Sequence, residues 1–309
     1  MRIGIFIGSI GADGDLDRQV EQVVAAERDG FDSFWSAQVL GVDALTLIAL
    51  AGQRTKRIEM GTAVVPTFPR HPMALAQQAL TTQAATGGRL TLGIGLSHKP
   101  MVEGRLGLRF DRPALHMREY LTVLRGLAHE GRVEFSGQIF QVSGAIQVPS
   151  TTPCPIVIAA LGPRMLRIAG ELAEGTVTWM TGRKTLDSHI VPRINAAAEA
   201  AGRPKPRVCV GVPIAVTDNL AAAREQATRL FQRYGQLPSY RRMLDMEGVE
   251  EPADMAIVGD EAEVERQLRS LAEVGATDLL AAIFPVSDDD EEGSVARTRA
   301  LLKDLIGKI

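Results

Sequence analysis

Short runs of apolar residues alternate with amphipathic stretches along the whole chain. The apolar runs predict buried strands over residues 2–8, 31–36, 57–65, 89–95, 155–159, 175–178, 208–216 and 276–284. Between them, apolar positions at helical spacing predict helices over residues 15–29, 43–53, 73–85, 113–129, 163–172, 184–201 and 220–234. Two further helices are predicted, one after Asp260 and one after the acidic residues 288–292. Strands that alternate with helices in this way indicate a parallel sheet.

Local signals support several of these elements. Gly30 follows the first predicted helix, and Pro113 suits the first turn of the fourth. The run Asp260-Glu261-Ala262-Glu263 resembles a capping box. Residues 133–148 predict a β-hairpin that turns at Ser136-Gly137, after the fourth helix. Residues 238–250 are compatible with a helical insertion, although their pattern is weak.

The count of strand–helix units decides between two architectures. Eight such units in 309 residues favour a closed (β/α)₈ TIM barrel, with an open α/β sheet as the alternative. No linker or low-complexity segment interrupts the rhythm, so we expect a single domain over residues 1–309.

Composition and charge restrict the partners and the compartment. The chain has 34 Lys and Arg against 37 Asp and Glu, and this balance lacks the basic surface that nucleic acids or anionic membranes require. Cys154 and Cys209 are far apart in sequence, which favours buried thiols over a disulfide or a metal pair. The first eight residues do not resemble a signal peptide, and no window is long enough to span a membrane. We therefore expect a cytoplasmic protein that acts on a small molecule.

Two glycine-rich stretches, Gly8 to Gly11 and Gly93 to Gly95, suggest a dinucleotide-binding turn but fail its pattern. The first lacks the middle glycine of G-x-G-x-x-G, and in the second the last glycine position is His98. The second predicted strand also ends at Gln38 without an acid for a ribose. Gly93 and Gly95 remain compatible with tight packing at a strand end or with close approach to a flat ring.

The short motifs of several other enzyme classes are absent from the sequence. The chain has no H-E-x-x-H, no paired C-x-x-C, no phosphate-binding G-x-x-x-x-G-K-[ST] and no G-x-S-x-G. We therefore expect no metal site, and a hydrolase has no supporting motif.

The order and spacing of several motifs resemble the luciferase-like monooxygenase superfamily. The residues that carry the resemblance are Gly61 to Pro66, Arg70-His71-Pro72, Ala76, Gly88-Arg89, Gly93-Ile94-Gly95, Val258-Gly259 and Gly275-Ala276. The stretches Gly95 to Pro100, Arg112-Pro113 and Arg118 to Leu121 are similar to a subgroup of the branch that uses coenzyme F420, a deazaflavin. The resemblance extends over nearly the whole chain and implies a luciferase-like TIM barrel, F420 as cofactor and a homodimer.

The resemblance also implies where the cofactor lies. A non-prolyl cis peptide would join Ala63 and Val64, so that Val64 lies under the central ring of the cofactor. Gly95 would approach the same flat ring through its backbone. The phosphate of the cofactor tail would bind in the loop after the fifth strand, where Gly162, Arg164 and Met165 supply N–H groups because Pro163 cannot.

Residues after the sixth strand are implied to lie beside the same tail. These residues are Met180, Thr181 and Gly182. Trp179, just before them, is compatible with either the barrel core or a wall of the cofactor site.

Three positions depart from the pattern of the sugar-phosphate dehydrogenases in this branch. Ala37 and Gln38 replace an acid and a histidine, and His98 replaces a glutamate that acts as an acid. Gln38 forms hydrogen bonds but moves no proton at neutral pH, whereas His98 does. We therefore predict His98 and Gln38 as catalytic residues, with a solvated loop histidine as the alternative for His98. His71 is expected to cap a helix and Trp35 to pack in the core.

These departures disfavour oxidation of a sugar alcohol and favour another hydride transfer. The leading prediction is an F420-dependent oxidoreductase acting on a small organic substrate. An FMN-dependent monooxygenase with the same fold is the alternative, and a non-catalytic binding protein is a third hypothesis.

Overall fold

The structure, a computed structural model, describes residues 1–8, 15–149, 152–287 and 291–309. Its strands are β1 (Arg2–Ile7), β2 (Ser33–Ser36), β3 (Glu59–Thr62), β4 (Val65–Pro66), β5 (Leu90–Gly95), β6 (Arg132–Ser136), β7 (Gln141–Ala145), β8 (Ile156–Ala159), β9 (Gly175–Trp179), β10 (Arg207–Val216), β11 (Ile257–Gly259) and β12 (Asp278–Ile283).

The helices surround these strands. They are α1 (Leu16–Arg28), α2 (Ala44–Arg54), α3 (Pro72–Ala85), α4 (Lys99–Gly104), α5 (Pro113–Glu130), α6 (Pro163–Leu172), α7 (Arg183–Thr185), α8 (Val191–Ala200), α9 (Leu220–Phe231), α10 (Pro238–Glu247), α11 (Glu261–Glu273) and α12 (Ala296–Asp304). Two π-helical turns, Leu186–Ile190 and Glu291–Val295, lead into α8 and α12.

Eight parallel strands close into a barrel in the order β1, β2, β3, β5, β8, β9, β10, β12. The ring is complete because β10 pairs with β9 on one side and with β12 on the other. β12 in turn pairs with β1. The predicted (β/α)₈ barrel is therefore confirmed, and the alternative prediction of an open sheet is wrong.

Residues of each strand alternate between the barrel interior and the surrounding helices. On β1, Ile3, Ile5 and Ile7 pack in the outer cluster beneath the helices, while Phe6 belongs to the inner cluster. The same alternation directs Asp278 of β12 inward, next to Leu279, which packs outward. The side chains that reach the mouth of the barrel are thus set by strand register.

Three helical regions differ from the sequence prediction, whereas the third strand is divided into β3 and β4 at the cis peptide that the resemblance implied. The first difference is α4, which was not predicted. The helix predicted over residues 184–201 is interrupted by the π-helical turn Leu186–Ile190. The helix predicted over residues 220–234 ends at Phe231 and continues as a 3₁₀ turn to Gln236.

The two excursions from the barrel are present. β6 and β7 form the antiparallel hairpin after α5, and α10 supplies the helical insertion. At the start of α11, Asp260 accepts from the Glu263 N–H as predicted, although the Glu263 carboxylate pairs with Arg266 instead of closing a capping box. The stretch Ser9 to Gly11 lies outside the described residues, as does most of the acidic loop 288–292.

Candidate functional site at the barrel mouth

The carboxyl ends of parallel strands meet at one rim, which is where TIM barrels carry their sites. The predicted site residues follow β2, β3, β5, β8 and β9, five consecutive strands of the ring. Gln38, Val64, His98, Gly162 and Met180 each lie just beyond one of these strands. The structure therefore gathers the predicted residues on one half of the rim.

The bulge between β3 and β4 contains a cis peptide bond between Ala63 and Val64, as predicted. Both side chains are partly exposed and pack against the inner cluster. Val64 is therefore an apolar side chain at the open end of the barrel.

Two glycines of β5 make room for this bulge. A Cβ on Gly93 would lie 1.9 Å from the Thr62 carbonyl oxygen, and a Cβ on Gly95 would lie 2.5 Å from Val64 Cγ2. The Thr62 hydroxyl also donates to the Gly93 carbonyl oxygen at 2.7 Å. Tight packing, one of the two interpretations from the sequence, therefore accounts for both glycines, and at Gly95 the packed neighbour is Val64 itself.

His98 lies in the loop between β5 and α4 and is partly exposed. Its ring centroid is 5.7 Å from that of Tyr240 on α10. Burial lowers the pKa of His98 below 6.5, so the ring is neutral at pH 7. The preceding residue, Ser97, has a φ of 60°, an uncommon conformation for a non-glycine residue that recurs at functional sites. His98 is thus held against a tyrosine and is not a fully solvated loop residue.

Gln38 is already engaged through one end of its amide. Its Oε1 accepts from the N–H of Ala44, the first residue of α2, at 2.7 Å. The carbonyl end therefore caps α2, and the NH₂ group is the part that remains for a substrate. This contact narrows the predicted role of Gln38 to hydrogen-bond donation.

The amino end of α6 presents free backbone donors at the rim. Gly162 is the N-cap and no side chain caps this helix. Pro163 has no N–H, so the donors are those of Gly162, Arg164 and Met165. Arg164 is exposed, which leaves its charge available to an anion. This geometry fits the predicted phosphate-binding loop, because a helix amino end attracts negative charge.

Met180 and Thr181, predicted beside the cofactor tail, are buried at 1% and 0% exposure. Met180 has a φ of 51° and donates its N–H to the Gly211 carbonyl oxygen at 3.0 Å. The Thr181 hydroxyl donates to the Trp179 carbonyl oxygen at 3.3 Å. The protein thus encloses both side chains, so that only the main-chain atoms of these two residues are left to contact the cofactor tail.

A carboxylate closes the amino end of α7, directly after Thr181. Glu247, at the end of α10, accepts from the N–H groups of Lys184 and Thr185 at 3.0 and 2.9 Å. The Thr185 hydroxyl donates to the same carboxylate at 2.8 Å. The helix that follows β9 is therefore capped by the protein's own anion, whereas α6 is not.

Aromatic side chains form a continuous series from His98 to the barrel interior. Tyr240 contacts Tyr234 at 5.1 Å between ring centroids, and Tyr234 lies 6.0 Å from Trp179. Trp179 in turn packs edge-on against Phe6 at 5.4 Å. With 9% exposure, Trp179 belongs to the inner cluster. The insertion α10 thus packs over this side of the mouth, a contact that the sequence did not indicate.

The predictions for His71, Trp35 and the two cysteines, which concern packing and capping, are confirmed. The His71 Nδ1 accepts from the Met73 N–H at 3.3 Å and caps α3. Trp35 is fully buried inside the barrel, above Gly61. Cys154 and Cys209 are both buried and free.

Among the described residues there is neither a cluster suited to a metal ion nor a helix suited to a membrane. No group of three or more His, Cys, Asp or Glu is arranged to hold a metal ion among these residues. Across the same part of the chain, each helix is too short or too polar to cross a membrane.

Comparison with known proteins supports the same architecture. The profile of the family described as luciferase-like monooxygenase matches residues 1–292. An uncharacterised protein of Mycobacterium tuberculosis is 32% identical over 250 residues, which cover 75% of this chain and 73% of that protein. An F420-dependent glucose-6-phosphate dehydrogenase of Intrasporangium calvum is 28% identical over 259 residues, 78% of this chain and 76% of the relative.

Solved structures extend the likeness to the whole barrel. The coenzyme F420-dependent tetrahydromethanopterin reductase of Methanopyrus kandleri superimposes with a TM-score of 0.79 at 21% identity, covering 99% of this chain and 98% of that one. The oxygenating constituent of 3,6-diketocamphane monooxygenase from Pseudomonas putida, in complex with FMN, gives 0.76 at 19% identity, covering 99% and 97%. At these identities the likeness establishes the fold alone.

Proposed function

The chain belongs to the luciferase-like monooxygenase family, and from this premise we propose that it is a coenzyme F420-dependent oxidoreductase acting on a small organic substrate. Membership makes the chain an enzyme of this class, which removes the hypothesis of a non-catalytic binding protein. The observation that carries the proposal is the pairing of an apolar bulge at Val64 with an uncapped helix end at Gly162 on the same half of the rim.

The residues at the mouth fit a flat ring with an anionic tail. Val64 offers an apolar surface for the ring, and Ala63 and Gly95 leave the space around it free of large side chains. The N–H groups of Gly162, Arg164 and Met165 would hold the phosphate, with the Arg164 guanidinium nearby. Main-chain atoms of Met180 and Thr181 would border the tail.

The bound deazaflavin would supply the hydride chemistry, and the protein would orient the substrate and manage its proton. In the oxidation direction, the neutral His98 ring would accept the proton of a substrate hydroxyl; in the reduction direction, the protonated ring would return a proton to the substrate oxygen. The Gln38 NH₂ group donates a second hydrogen bond to the same part of the substrate. The aromatic series that includes Tyr240 and Tyr234 limits the access of water from one side.

FMN is the second candidate cofactor. It also combines a tricyclic ring with a phosphate, so Val64 and the amino end of α6 would contact the same parts of FMN. An FMN-dependent monooxygenase is favoured by the likeness to the Pseudomonas putida FMN complex. We prefer F420 for two reasons. The glucose-6-phosphate dehydrogenase of Intrasporangium calvum is F420-dependent and, at 28% identity, is more similar in sequence than the FMN complex at 19%. The stretch around His98 also resembles the F420 branch.

The proposal extends to location and assembly. Buried, unpaired thiols suit the reducing cytoplasm. A homodimer is expected from the family, and the neighbouring side chains of Val39 and Leu40, 58% and 64% exposed just before α2, are available to a partner subunit.

Turnover with reduced F420 tests the proposed function. The purified enzyme is mixed with reduced F420 and a panel of aldehydes, ketones, imines and conjugated alkenes, and the return of the oxidised deazaflavin absorbance is followed. We expect oxidation with at least one class. In the reverse assay with oxidised F420 and glucose 6-phosphate we expect none, because Gln38 and His98 replace the proton-transfer residues of the sugar-phosphate enzymes. Oxygen consumption with reduced FMN, without any deazaflavin turnover, would contradict the proposal.

A further inference from the structure

We propose that His189 is the positioning residue of the phosphate loop: its hydrogen bond to Leu161 sets the direction of the Gly162 N–H and so the affinity for a phosphorylated cofactor. The proposal rests on the function proposed above. In this proposal, His189 contacts neither the ring of the cofactor nor the substrate.

His189 makes one hydrogen bond from a buried position. Its side chain is 2% exposed, and Nε2 lies 2.7 Å from the Leu161 carbonyl oxygen. Because a carbonyl oxygen only accepts, Nε2 must carry the hydrogen. The other ring nitrogen, Nδ1, has no hydrogen-bond partner among the described residues. Among the described residues, the His189 ring therefore hydrogen-bonds only the loop between β8 and α6.

The fold brings His189 to this loop through close packing of two helices. A Cβ on Gly170 of α6 would lie 2.6 Å from the Ile194 carbonyl oxygen of α8, so the two helices pack almost backbone to backbone. The π-helical turn Leu186–Ile190 precedes α8 and carries His189. Such turns are rare and are found frequently at functional sites. The turn before α8 thus meets the loop before α6.

The consequence follows from the geometry of the peptide bond. The Leu161 carbonyl and the Gly162 N–H belong to one planar unit and point in opposite directions. A carbonyl held by His189 therefore turns the Gly162 N–H away from His189. Gly162 has no side chain, and no atom beyond its chain neighbours lies within 4 Å of a Cβ built there. Side-chain packing at Gly162 cannot replace the hydrogen bond in orienting this peptide.

Two substitutions of similar size and polarity separate the hydrogen bond from packing. Glutamine places its amide NH₂ near the position of Nε2 and keeps the donor, whereas asparagine is shorter and loses it. His189→Leu removes the polar group entirely. Affinities are measured by equilibrium titration for F420 and for the matching deazaflavin that lacks the phosphate.

His129→Leu is the matched control. The His129 Nε2 also hydrogen-bonds a carbonyl oxygen, that of Cys154 at 2.9 Å, but on the amino side of β8. His129 thus makes the same kind of hydrogen bond as His189, but at the opposite end of β8.

We expect His189→Asn and His189→Leu to weaken F420 binding about tenfold, the usual effect of one misdirected hydrogen bond to a charged group. Affinity for the phosphate-free deazaflavin should stay within about twofold of wild type, His189→Gln should restore F420 binding, and His129→Leu should change neither affinity. If His189→Leu does not fold, the comparison of His189→Gln with His189→Asn still shows whether F420 affinity requires the hydrogen bond.

Two results would overturn the proposal. Equal losses for both deazaflavins would mean that His189 supports only the general fold, and unchanged F420 binding in His189→Asn would mean that its hydrogen bond is irrelevant. Wild-type protein that binds neither deazaflavin would overturn the proposed function as well, which distinguishes the two failures.

Discussion

At the scale of single residues, the shape of the mouth depends on two glycines that face one bulge. Gly93 leaves space for the Thr62 carbonyl, and Gly95 leaves space for the Val64 side chain. The sequence indicated the glycines and, through the resemblance, the bulge. It could not show that they contact each other, because strand register across β3, β4 and β5 decides which atoms meet.

Gly95→Ala should weaken cofactor binding about tenfold or more, because the new Cβ would push Val64 toward the ring position. The double variant Gly95→Ala with Val64→Ala should recover part of the affinity, since the clash is with Val64 Cγ2. Gly93→Ala is the control for general destabilisation, because its Cβ would meet backbone at 1.9 Å. Titration and thermal unfolding of all three variants check this. Normal affinity in Gly95→Ala would contradict it.

His98→Ala should lower turnover by about a hundredfold while leaving cofactor affinity within about twofold. When the alcohol is the substrate and the neutral ring must accept its proton, the wild-type rate should also fall on the acid side, as pH falls through the pKa of His98, which burial lowers below 6.5. This acid limb should be absent from the variant. A pH profile of turnover for both proteins is the measurement, and an unchanged rate in His98→Ala would exclude any catalytic role.

At the scale of elements, the carboxylate of Glu247 joins the insertion α10 to α7, in addition to the packing of Met243 and Leu244. The sequence predicted that residues 238–250 are helical, but not where this helix packs. Glu247 and its donors on Lys184 and Thr185 are more than sixty positions apart in sequence. No local pattern reports such a contact, whereas the boundaries of α6 follow from Pro163 and the apolar spacing after it.

Glu247→Ala should loosen α10 and raise the KM for the substrate, because the amino end of α7 loses its acceptors and Tyr240 is no longer held against His98. We expect faster amide hydrogen exchange over residues 238–247. Asp245→Ala on the same helix is the control, because it removes only an exposed ion pair with Arg241. Unchanged exchange in Glu247→Ala would show that other contacts hold the insertion.

At the scale of the whole molecule, the barrel has the apolar side chain of Val64 at its mouth and a cluster of charged side chains at the amino ends of its strands. This cluster, Glu59, Arg207 and Asp278, is called the floor. The eight-unit rhythm predicted the closed barrel because each strand and helix has its own local signal. The floor was not predicted, since it joins residues from opposite ends of the chain. Asp278 is 1% exposed and pairs with Arg207 at 2.6 Å, and Arg207 also pairs with Glu59 at 2.9 Å. These ion pairs lie at the amino ends of the strands, the face of a TIM barrel that serves stability and not catalysis.

Stability should depend on the charge of Asp278. Burial alone would raise the pKa of its carboxyl, but the hydrogen bond and charge of Arg207 outweigh burial and lower it below 3.8. Because the pKa is lower in the folded state, this contribution is present above the unfolded pKa and is lost as pH falls through the folded one. Asp278→Asn should cost about 3 kcal/mol at pH 7 by leaving Arg207 without its buried partner.

Urea unfolding between pH 7 and pH 3 checks this prediction. The difference in unfolding free energy between wild type and Asp278→Asn should shrink as the solution becomes more acidic. A constant difference would mean that the charge of Asp278 is not what stabilises the floor.

The most direct test of the central claim is to titrate the purified protein separately with F420 and with FMN and to compare the two dissociation constants. We expect F420 to bind at least tenfold more tightly, and Val64→Asp, which places a charge under the ring, to abolish this binding in a folded protein. Tighter binding of FMN, or no binding of either compound, would contradict it.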